Sequence, residues 1–328
     1  MLPLLDLPER EVLRVLGEMD NLGKLAFSLL SKRTHALIKS VNLERIKNLE
    51  LFLTANNNYI RVYPTHHDWY AVSPHHFQPG PPREIQDKMD GAVVVLPGLQ
   101  GFIWRNTVHM SILDWILHVL DIYNTPNGIN KLHLGFSRFS MGRNGFLDVE
   151  KIREILEGLH VHVLCLTPEE RFHGISTRLV PARRLFLSEN PFREPQEVQK
   201  LFIQNRDIVE VAYKLPLDDL LCCNSKTIIC NVPSFTVRQA NTFFKQWIRG
   251  GNPNLTYFKF RGPISREMFH GIALMANYSE LFRRYGGGVS SRGFTFWRAD
   301  RRAYVFVHDR RERPTGTIWI IMHVRHLF

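Results

Sequence analysis

The sequence predicts an α/β protein that begins with an all-α unit, and three observations predict it. Apolar side chains recur at helical spacing along residues 5–40. Beyond residue 90, short strand-like runs rich in Leu and Phe alternate with amphipathic runs, which is typical of parallel α/β folds. From Phe294 onward, strand-like runs follow one another without a helical run between them, which indicates antiparallel pairing.

The N-terminal unit is predicted to contain three short helices. The first carries apolar residues at helical spacing: Val12, Leu13, Val15, Leu16 and Met19. A second stripe runs from Leu22 to Leu30, and Ser31 can cap a third helix. Because so small a unit cannot bury all of these side chains, one face must pack on a partner protein or on the rest of the chain. Periodicity alone does not decide between the two.

A hairpin and an irregular connection follow the helices. Leu49–Thr54 and Tyr59–Tyr63 are predicted strands, joined by asparagines that suit a turn. Residues 64–90 are rich in proline and are predicted to form an extended connection.

Strands and helices are predicted to alternate through the middle of the chain. The predicted strands are Ala92–Leu96, Lys131–Phe136, Val161–Leu166, Arg184–Leu187, Ile208–Tyr213, Thr227–Asn231 and Thr256–Phe260. The predicted helices are Met110–Tyr123, Val149–Leu159, Gln196–Gln204, Leu217–Cys223 and Val237–Arg249. Strands that recur at intervals of roughly 20 to 40 residues favour a leucine-rich-repeat-like α/β solenoid. Its antiparallel C-terminal cap is predicted to comprise Phe294–Arg298, Ala303–His308 and Thr317–Val324.

Composition limits the classes of partner. The formal net charge is +11, which favours acidic partners, but the basic residues are scattered. The dense cluster between Arg298 and Arg313 is interrupted by acidic residues, so nucleic acid is the less favoured partner. Neither a secretory signal nor an apolar run of membrane-spanning length is present, and the four cysteines lack disulfide spacing. We expect an intracellular protein, cytoplasmic or nuclear, without a membrane partner.

Motifs for catalysis, metal binding and phosphate binding are weak. The histidine-dense stretch from His66 to His76 has no cysteine nearby, and Cys222, Cys223 and Cys230 form no metal-ligand pair. Gly286–Gly288 lacks the Lys and Ser or Thr of a phosphate-binding loop. Because no hydrolase signature occurs either, we expect no enzyme activity, no metal and no cofactor.

The N-terminal residues carry a family resemblance. The pattern Leu7-Pro8, Val12, Val15-Leu16, Met19-Asp20, Leu25, Ser28-Leu29 and Ser31-Lys32-Arg33 resembles the F-box, in the variant found in the large nematode F-box family. The resemblance implies an F-box over residues 1–45 that binds the adaptor subunit of cullin–RING ubiquitin ligases. The implied adaptor-binding residues are Leu7, Pro8, Val12, Val15, Leu16, Leu25 and Leu29. The chain departs from the pattern at Glu11, and Gly17 and Gly23 lie inside helices, where each costs about 1 kcal/mol.

A second motif resembles the F-box-associated domain of those same proteins. Asn241–Phe260 contains the turn W-I-x-G-x-N-x-x-L, and the run from Phe294 to Val307 resembles the family's closing hairpin. Residues 46–90 are predicted to form the hairpin and the Pro-rich connection, and the resemblance implies an F-box-associated, substrate-recruiting domain over residues 91–328. The motif residues are expected to be structural: Trp247, Ile248, Gly250, Asn252 and Leu255.

Two hypotheses follow. The first is a substrate receptor of a cullin–RING (SCF-type) ubiquitin ligase that recruits an unknown protein target. The alternative is a basic nucleic-acid-binding protein or another non-catalytic interaction protein. A variant of the first hypothesis is a diverged family member that keeps the fold and binds no adaptor, for which Glu11, Gly17 and Gly23 leave room.

Overall fold

The structure is a computed structural model of the chain. It describes residues 4–41, 46–54, 58–63, 70–74, 89–95, 102–110, 112–123, 128–135, 156–157, 159–167, 182–192, 194–233, 235–262, 264–275, 293–311 and 317–326. The chain divides into two units. Unit 1 comprises Met1–Leu164 and Leu179–Pro181, and unit 2 comprises Cys165–Arg178 and Ala182–Phe328. The division falls inside the stretch 91–328 that the sequence analysis treats as one domain.

Unit 1 begins with the three predicted helices. After a 3-10 helix, the bounds are α1 Glu9–Glu18, α2 Asn21–Ser28 and α3 Lys32–Ser40. Ser31 caps α3 as predicted, because its hydroxyl accepts a hydrogen bond from the Thr34 amide and its own amide donates to the Thr34 hydroxyl. The α2 cap explains Gly23, since a Cβ there would lie 2.9 Å from the Asp20 carboxylate oxygen that accepts from the Gly23 amide.

The rest of unit 1 is mainly strands. The elements are β1 Asn48–Thr54, β2 Asn58–Tyr63, β3 Tyr70–Pro74, β4 Met89–Val95, β5 Phe102–Met110, α4 Ile112–Ile122 and β6 Ile129–Gly135. The predicted hairpin is confirmed as the antiparallel pair β1–β2, and β1 also pairs with β6 in parallel. The extended connection predicted over residues 64–90 is wrong in part, because β3 lies within it and pairs with β2 and β4. No strand was predicted at β5, which pairs with β4.

Unit 2 is built on four parallel strands. Strand β7, Val161–Thr167, spans the division between the units, and the predicted helix Val149–Leu159 lies largely outside the described residues. The next elements are β8 Ala182–Leu187, α5 Pro195–Phe202, β9 Ile208–Val211, α6 Leu217–Cys222, β10 Thr227–Cys230, α7 Val237–Ile248 and β11 Tyr257–Arg261. Strands β9, β10 and β11 each pair in parallel with the strand before it, beginning with β9 on β8. The predicted ends of these elements differ from the observed ends by no more than two residues.

The antiparallel cap is confirmed. Its strands are β12 Gly293–Trp297, β13 Ala303–Arg311 and β14 Ile318–His326. Strand β14 pairs with β11, β13 with β14, and β12 with β13, all antiparallel. The parallel sheet of unit 2 therefore continues into antiparallel strands at its β11 edge.

The core of unit 2 lies between α7 and the sheet. α7 buries Phe243, Phe244 and Trp247 completely. The Phe243 ring lies 4.9 Å from Phe258 of β11, and the Trp247 ring lies 6.1 Å from Phe296 of β12. One helix thus joins the parallel and antiparallel parts of the sheet through aromatic contacts.

The architecture is therefore α/β with an N-terminal helical unit, as predicted. None of the helices in the described ranges has both the length and the apolar character needed to cross a membrane.

Candidate interaction surfaces

The structure places the predicted adaptor-binding residues in different surroundings. Val12, Leu16 and Leu25 are buried between the N-terminal helices, with Leu16 and Leu25 fully enclosed. In unit 1 they act as core residues, and a partner can reach them only if the helices separate.

The remaining members of the set are accessible. Pro8 is exposed, Val15 is 42 % exposed, and Leu7 and Leu29 are half-buried. Leu30, which follows the last predicted member, is 70 % exposed. An exposed Val and Leu on so small a helical unit provide apolar surface for a partner. Sequence reasoning placed Leu30 in the apolar stripe of α2 but not in the adaptor-binding set.

The other side of the N-terminal unit packs on its own chain. Helices α2 and α3 contact α4. The Ser28 hydroxyl donates to the Leu25 carbonyl at 2.6 Å and lies 2.9 Å from Nε2 of His118 on α4. Since the single hydroxyl proton is committed to Leu25, His118 donates from Nε2. The periodicity left open whether the surplus apolar face of the N-terminal helices packs on the chain itself or stays available for a partner. In the structure one face packs on α4, while Val15 and Leu30 stay exposed.

Charged groups complete the contact with α4. Asp121 lies 2.7 Å from both His35 Nε2 and Lys39 Nζ of α3. The hydrogen bond from Lys39 is the main reason that the pKa of Asp121 lies below its ordinary value. Burial, reinforced by the charge of His35, lowers the pKa of His118 to about 4. His118 is therefore neutral at pH 7, which agrees with its role as a hydrogen-bond donor to Ser28.

The motif residues at the end of α7 form a buried turn. Trp247 and Leu255 are fully buried and Ile248 is half-buried. Gly250 has a φ of 103°, a conformation that favours glycine and lets the chain reverse after the helix. The buried Asn252 amide donates to the carbonyls of Cys223 at 2.7 Å and Leu220 at 3.2 Å. Asn252 therefore links this turn to the end of α6.

The two faces of the unit 2 sheet differ. Strand register aligns Leu185, Val209, Ile228 and Phe258, which are all buried on the side of α7. The alternate residues form the opposite side, which we term the open face. All of its members are half-exposed: Arg184, Phe186, Ile208, Glu210, Thr227, Ile229, Tyr257, Lys259 and Arg261.

Charges on the open face are unevenly compensated. At the β8–β9 end, the Glu210 carboxylate lies 2.6 Å from Arg184 and accepts a hydrogen bond from Asn231 at 2.7 Å. At the β11 end, Lys259 Nζ lies 3.8 Å from the ring centroid of Trp319, and the Arg261 guanidinium carbon lies 5.0 Å from it. Each such cation–π contact is worth about 0.5–1 kcal/mol at a partly exposed site.

Arg310 adds a third cation at this end. It lies on β13 directly across from Trp319, and it is exposed. Within the described ranges, no carboxylate lies within 4.0 Å of Lys259, Arg261 or Arg310. We call these three residues with Trp319 the cationic patch. Sequence reasoning missed it, although the alternation in Tyr257-Phe-Lys-Phe-Arg already indicates one polar face.

Unit 1 has a charged cluster in which a buried carboxylate is surrounded by cations. The buried Glu50 of β1 has oxygens 3.0 Å from Lys131 Nζ, 3.6 Å from His133 Nε2 and 3.9 Å from Arg61. Burial opposes its ionisation, but the interactions with His133 and Lys131 outweigh burial and lower the pKa of Glu50 from 4.5 to about 2. The carboxylate lies at the centre of its cations, so this cluster is internally compensated.

Within the described ranges, no group of three or more His, Cys, Asp or Glu side chains is arranged so that it could hold a metal ion. The histidines between His66 and His76 and the glycines Gly286–Gly288 lie outside the described residues. Cys223 and Cys230 are buried, and burial raises the pKa of Cys223 to about 12, so its thiol is protonated at neutral pH.

Comparison with known proteins gives one match. A family model described as F-box associated matches residues 197–260. Searches of the curated proteins and of the solved structures found no match. The matched segment begins in α5 and ends in β11, so it contains the turn with Trp247 and Asn252 and also Lys259 of the open face. The match supports an F-box-associated domain in this part of the chain.

Proposed function

We propose that the chain is a substrate-receptor subunit of a cullin–RING (SCF-type) ubiquitin ligase. The match of residues 197–260 to an F-box-associated family carries the proposal. In this proposal residues 1–45 are an F-box that binds the adaptor, and the unit containing the matched segment recruits a protein target. The place of action is the cytoplasm or the nucleus.

The proposed mechanism is proximity. A receptor that holds a target beside a charged ubiquitin-conjugating enzyme raises the effective concentration of the target's lysines. Such a subunit needs no catalytic residue of its own, which fits the absence of catalytic motifs in the sequence.

The proposed recruiting domain is a leucine-rich-repeat-like solenoid. Strands β8 to β11 pair in parallel, each beside the one before it, and α7 covers one face of the sheet at the β11 end. Repeat folds of this kind bind partners through extended strand surfaces. The open face of unit 2 is the corresponding surface here.

The proposed adaptor contact uses the exposed apolar residues. Pro8 and Val15 face solvent, whereas Val12, Leu16 and Leu25 hold the helices together. A substitution at Leu16 would therefore disturb folding as well as binding, so Val15 is the better position to test.

Co-purification with the ligase adaptor tests the proposal. Val15→Glu places a charge on the exposed side of α1 and is expected to weaken adaptor binding about tenfold or more. Ile203→Glu makes the same change at an exposed residue of unit 2, which is 60 % exposed, and is expected to leave adaptor binding unchanged.

If the wild-type chain does not retain the adaptor, the receptor proposal is wrong. If both variants lose the adaptor equally, a general effect of the added charge explains the loss, and α1 is not the contact.

A further inference from the structure

The cationic patch gathers positive charge with no carboxylate partner among the residues that the structure describes. Lys259 and Arg261 both lie against the Trp319 ring, and Arg310 lies across from that ring on the neighbouring strand. Arg261 and Arg310 are each directly across from Trp319 on its two neighbouring strands, so their backbones are two strand spacings, about 10 Å, apart. Like charges held at such distances repel one another, and a bound anion would relieve the repulsion.

The rest of the open face does not supply that anion. Its carboxylate, Glu210, is already paired with Arg184 and hydrogen-bonded by Asn231. The strand between them, β10, presents the uncharged Thr227 and Ile229 on this face. Among the described residues, the three cations of the patch therefore keep their charge available for an external group.

We propose that the cationic patch binds an acidic segment, rich in Asp and Glu, of the protein target. This inference rests on the proposed function for its biological role, since it names the class of target that the receptor recruits. Arginine favours carboxylates because its planar donors match the two carboxylate oxygens. The half-exposed Ile208, Ile229 and Tyr257 beside the patch provide apolar contacts along the same segment.

The geometry favours a peptide over nucleic acid. Proteins that bind single-stranded nucleic acid combine a long basic groove with open aromatic rings on which bases stack. Trp319 is only 4 % exposed and is covered by Lys259 and Arg261, so no base can stack on that face of the ring. Towards β10 the described strands present the neutral Thr227 and Ile229 and then the paired Glu210, so the positive charge of the patch does not continue across that part of the sheet. A short acidic segment fits this limited charge better than a polynucleotide.

The test measures peptide binding to the purified full-length chain. The probes are a fluorescent polyglutamate peptide and a neutral Gly-Ser peptide of the same length, with binding followed by fluorescence anisotropy. The patch variant is Lys259→Gln with Arg261→Gln. Its control is Lys200→Gln with Arg238→Gln, which removes the same two charges from exposed positions on α5 and α7.

We expect the wild-type chain to bind polyglutamate and not the neutral peptide. The patch variant should bind polyglutamate about tenfold more weakly or worse, because it loses two charge-assisted contacts. The control variant should bind polyglutamate within about twofold of wild type. It has the same net charge as the patch variant, but it keeps Lys259 and Arg261. Arg310→Gln should cause a smaller loss, about threefold, with an unchanged melting temperature. This exposed single substitution provides the test should the double variant fail to fold.

Three results would overturn the inference. The two double variants could weaken binding equally, which would assign binding to overall charge. The neutral peptide could bind as tightly as polyglutamate. A single-stranded oligonucleotide could bind more tightly than polyglutamate and lose affinity in the patch variant, which would make the patch a nucleic-acid site.

Failure here is distinguishable from failure of the proposed function. Peptide binding is measured without the adaptor, and adaptor binding is tested at Val15 in unit 1. A chain that binds polyglutamate through the patch and does not retain the adaptor would keep this site and lose the receptor role.

Discussion

The interior behind α7 and the charged contacts of unit 1 stabilise the protein by different physical means. Behind α7, Phe243, Phe244 and Trp247 pack against aromatic rings of the sheet. In unit 1, Glu50 is buried among cations and Asp121 links α3 to α4. Aromatic packing is independent of pH, whereas ion pairs lose strength when their carboxylates take up protons.

The two units also differ in what they bury and in what they expose. Unit 2 fills its core with large rings, and its cationic patch has no carboxylate partner within the described part of the chain. Unit 1 compensates its buried carboxylate and leaves Val15 of α1 and Leu30, between α2 and α3, exposed. The two candidate surfaces therefore differ in chemistry, one apolar and one cationic.

The largest effect is expected from Trp247→Ala. Truncating this fully buried ring removes its contact with Phe296 and leaves a cavity behind α7. The expected loss in the free energy of unfolding is about 3–5 kcal/mol. This loss is measured by comparing the hydrogen-exchange rates of the α7 amides in the variant and in wild type.

The matched control is Ile203→Ala, which truncates an exposed apolar residue of the same unit and should change stability by less than about 0.5 kcal/mol. If Trp247→Ala costs no more than this control, the aromatic interior does not dominate unit 2.

A smaller effect, dependent on pH, is expected from Glu50. Its pKa in the folded chain, about 2, lies below the value of 4.5 for the free side chain. The unfolded chain therefore takes up this proton first as the pH falls. The stabilisation is present in full above pH 4.5 and is lost between pH 4.5 and 2. Its expected size is about 2–3 kcal/mol, measured by urea unfolding across this range.

Glu50→Gln provides the comparison, because it removes the ionisation but keeps the shape. This variant should be less stable than wild type at pH 7, and the difference should shrink towards zero at pH 2. A constant difference at all pH values would show that the charge of Glu50 does not stabilise unit 1.

Much of the fold could be predicted because local patterns decide it. Between residues 182 and 260, period-two strands alternate with short helices, and Gly250 marks the reversal after α7. Strands β3 and β5 were missed because their pairing depends on partners that local sequence does not reveal. Edge and non-local pairing is decided by tertiary contacts rather than by propensity.

The candidate sites were less predictable. The helical spacing of the sequence identifies the apolar residues of α1, but only the structure shows that Val12 is buried while Val15 is exposed. The patch needs three strands distant in the sequence, since Lys259 and Arg261 meet Trp319 only through the pairing of β11 with β14. Alternation could assign the two cations to one face, but it could not supply the ring between them.

The smallest effect is expected from Asp121→Asn. The carboxylate pairs with His35 and Lys39, but the Asp121 side chain is 47 % exposed, so water and salt screen the pair. We expect a loss of at most about 1 kcal/mol, which diminishes further at high salt. A double-mutant cycle with Lys39→Gln, read by hydrogen exchange of the α3 amides, isolates the pairwise contribution. A loss above about 2 kcal/mol would show that this ion pair, rather than the buried contacts of Leu25 and Ile38, holds the N-terminal helices in place.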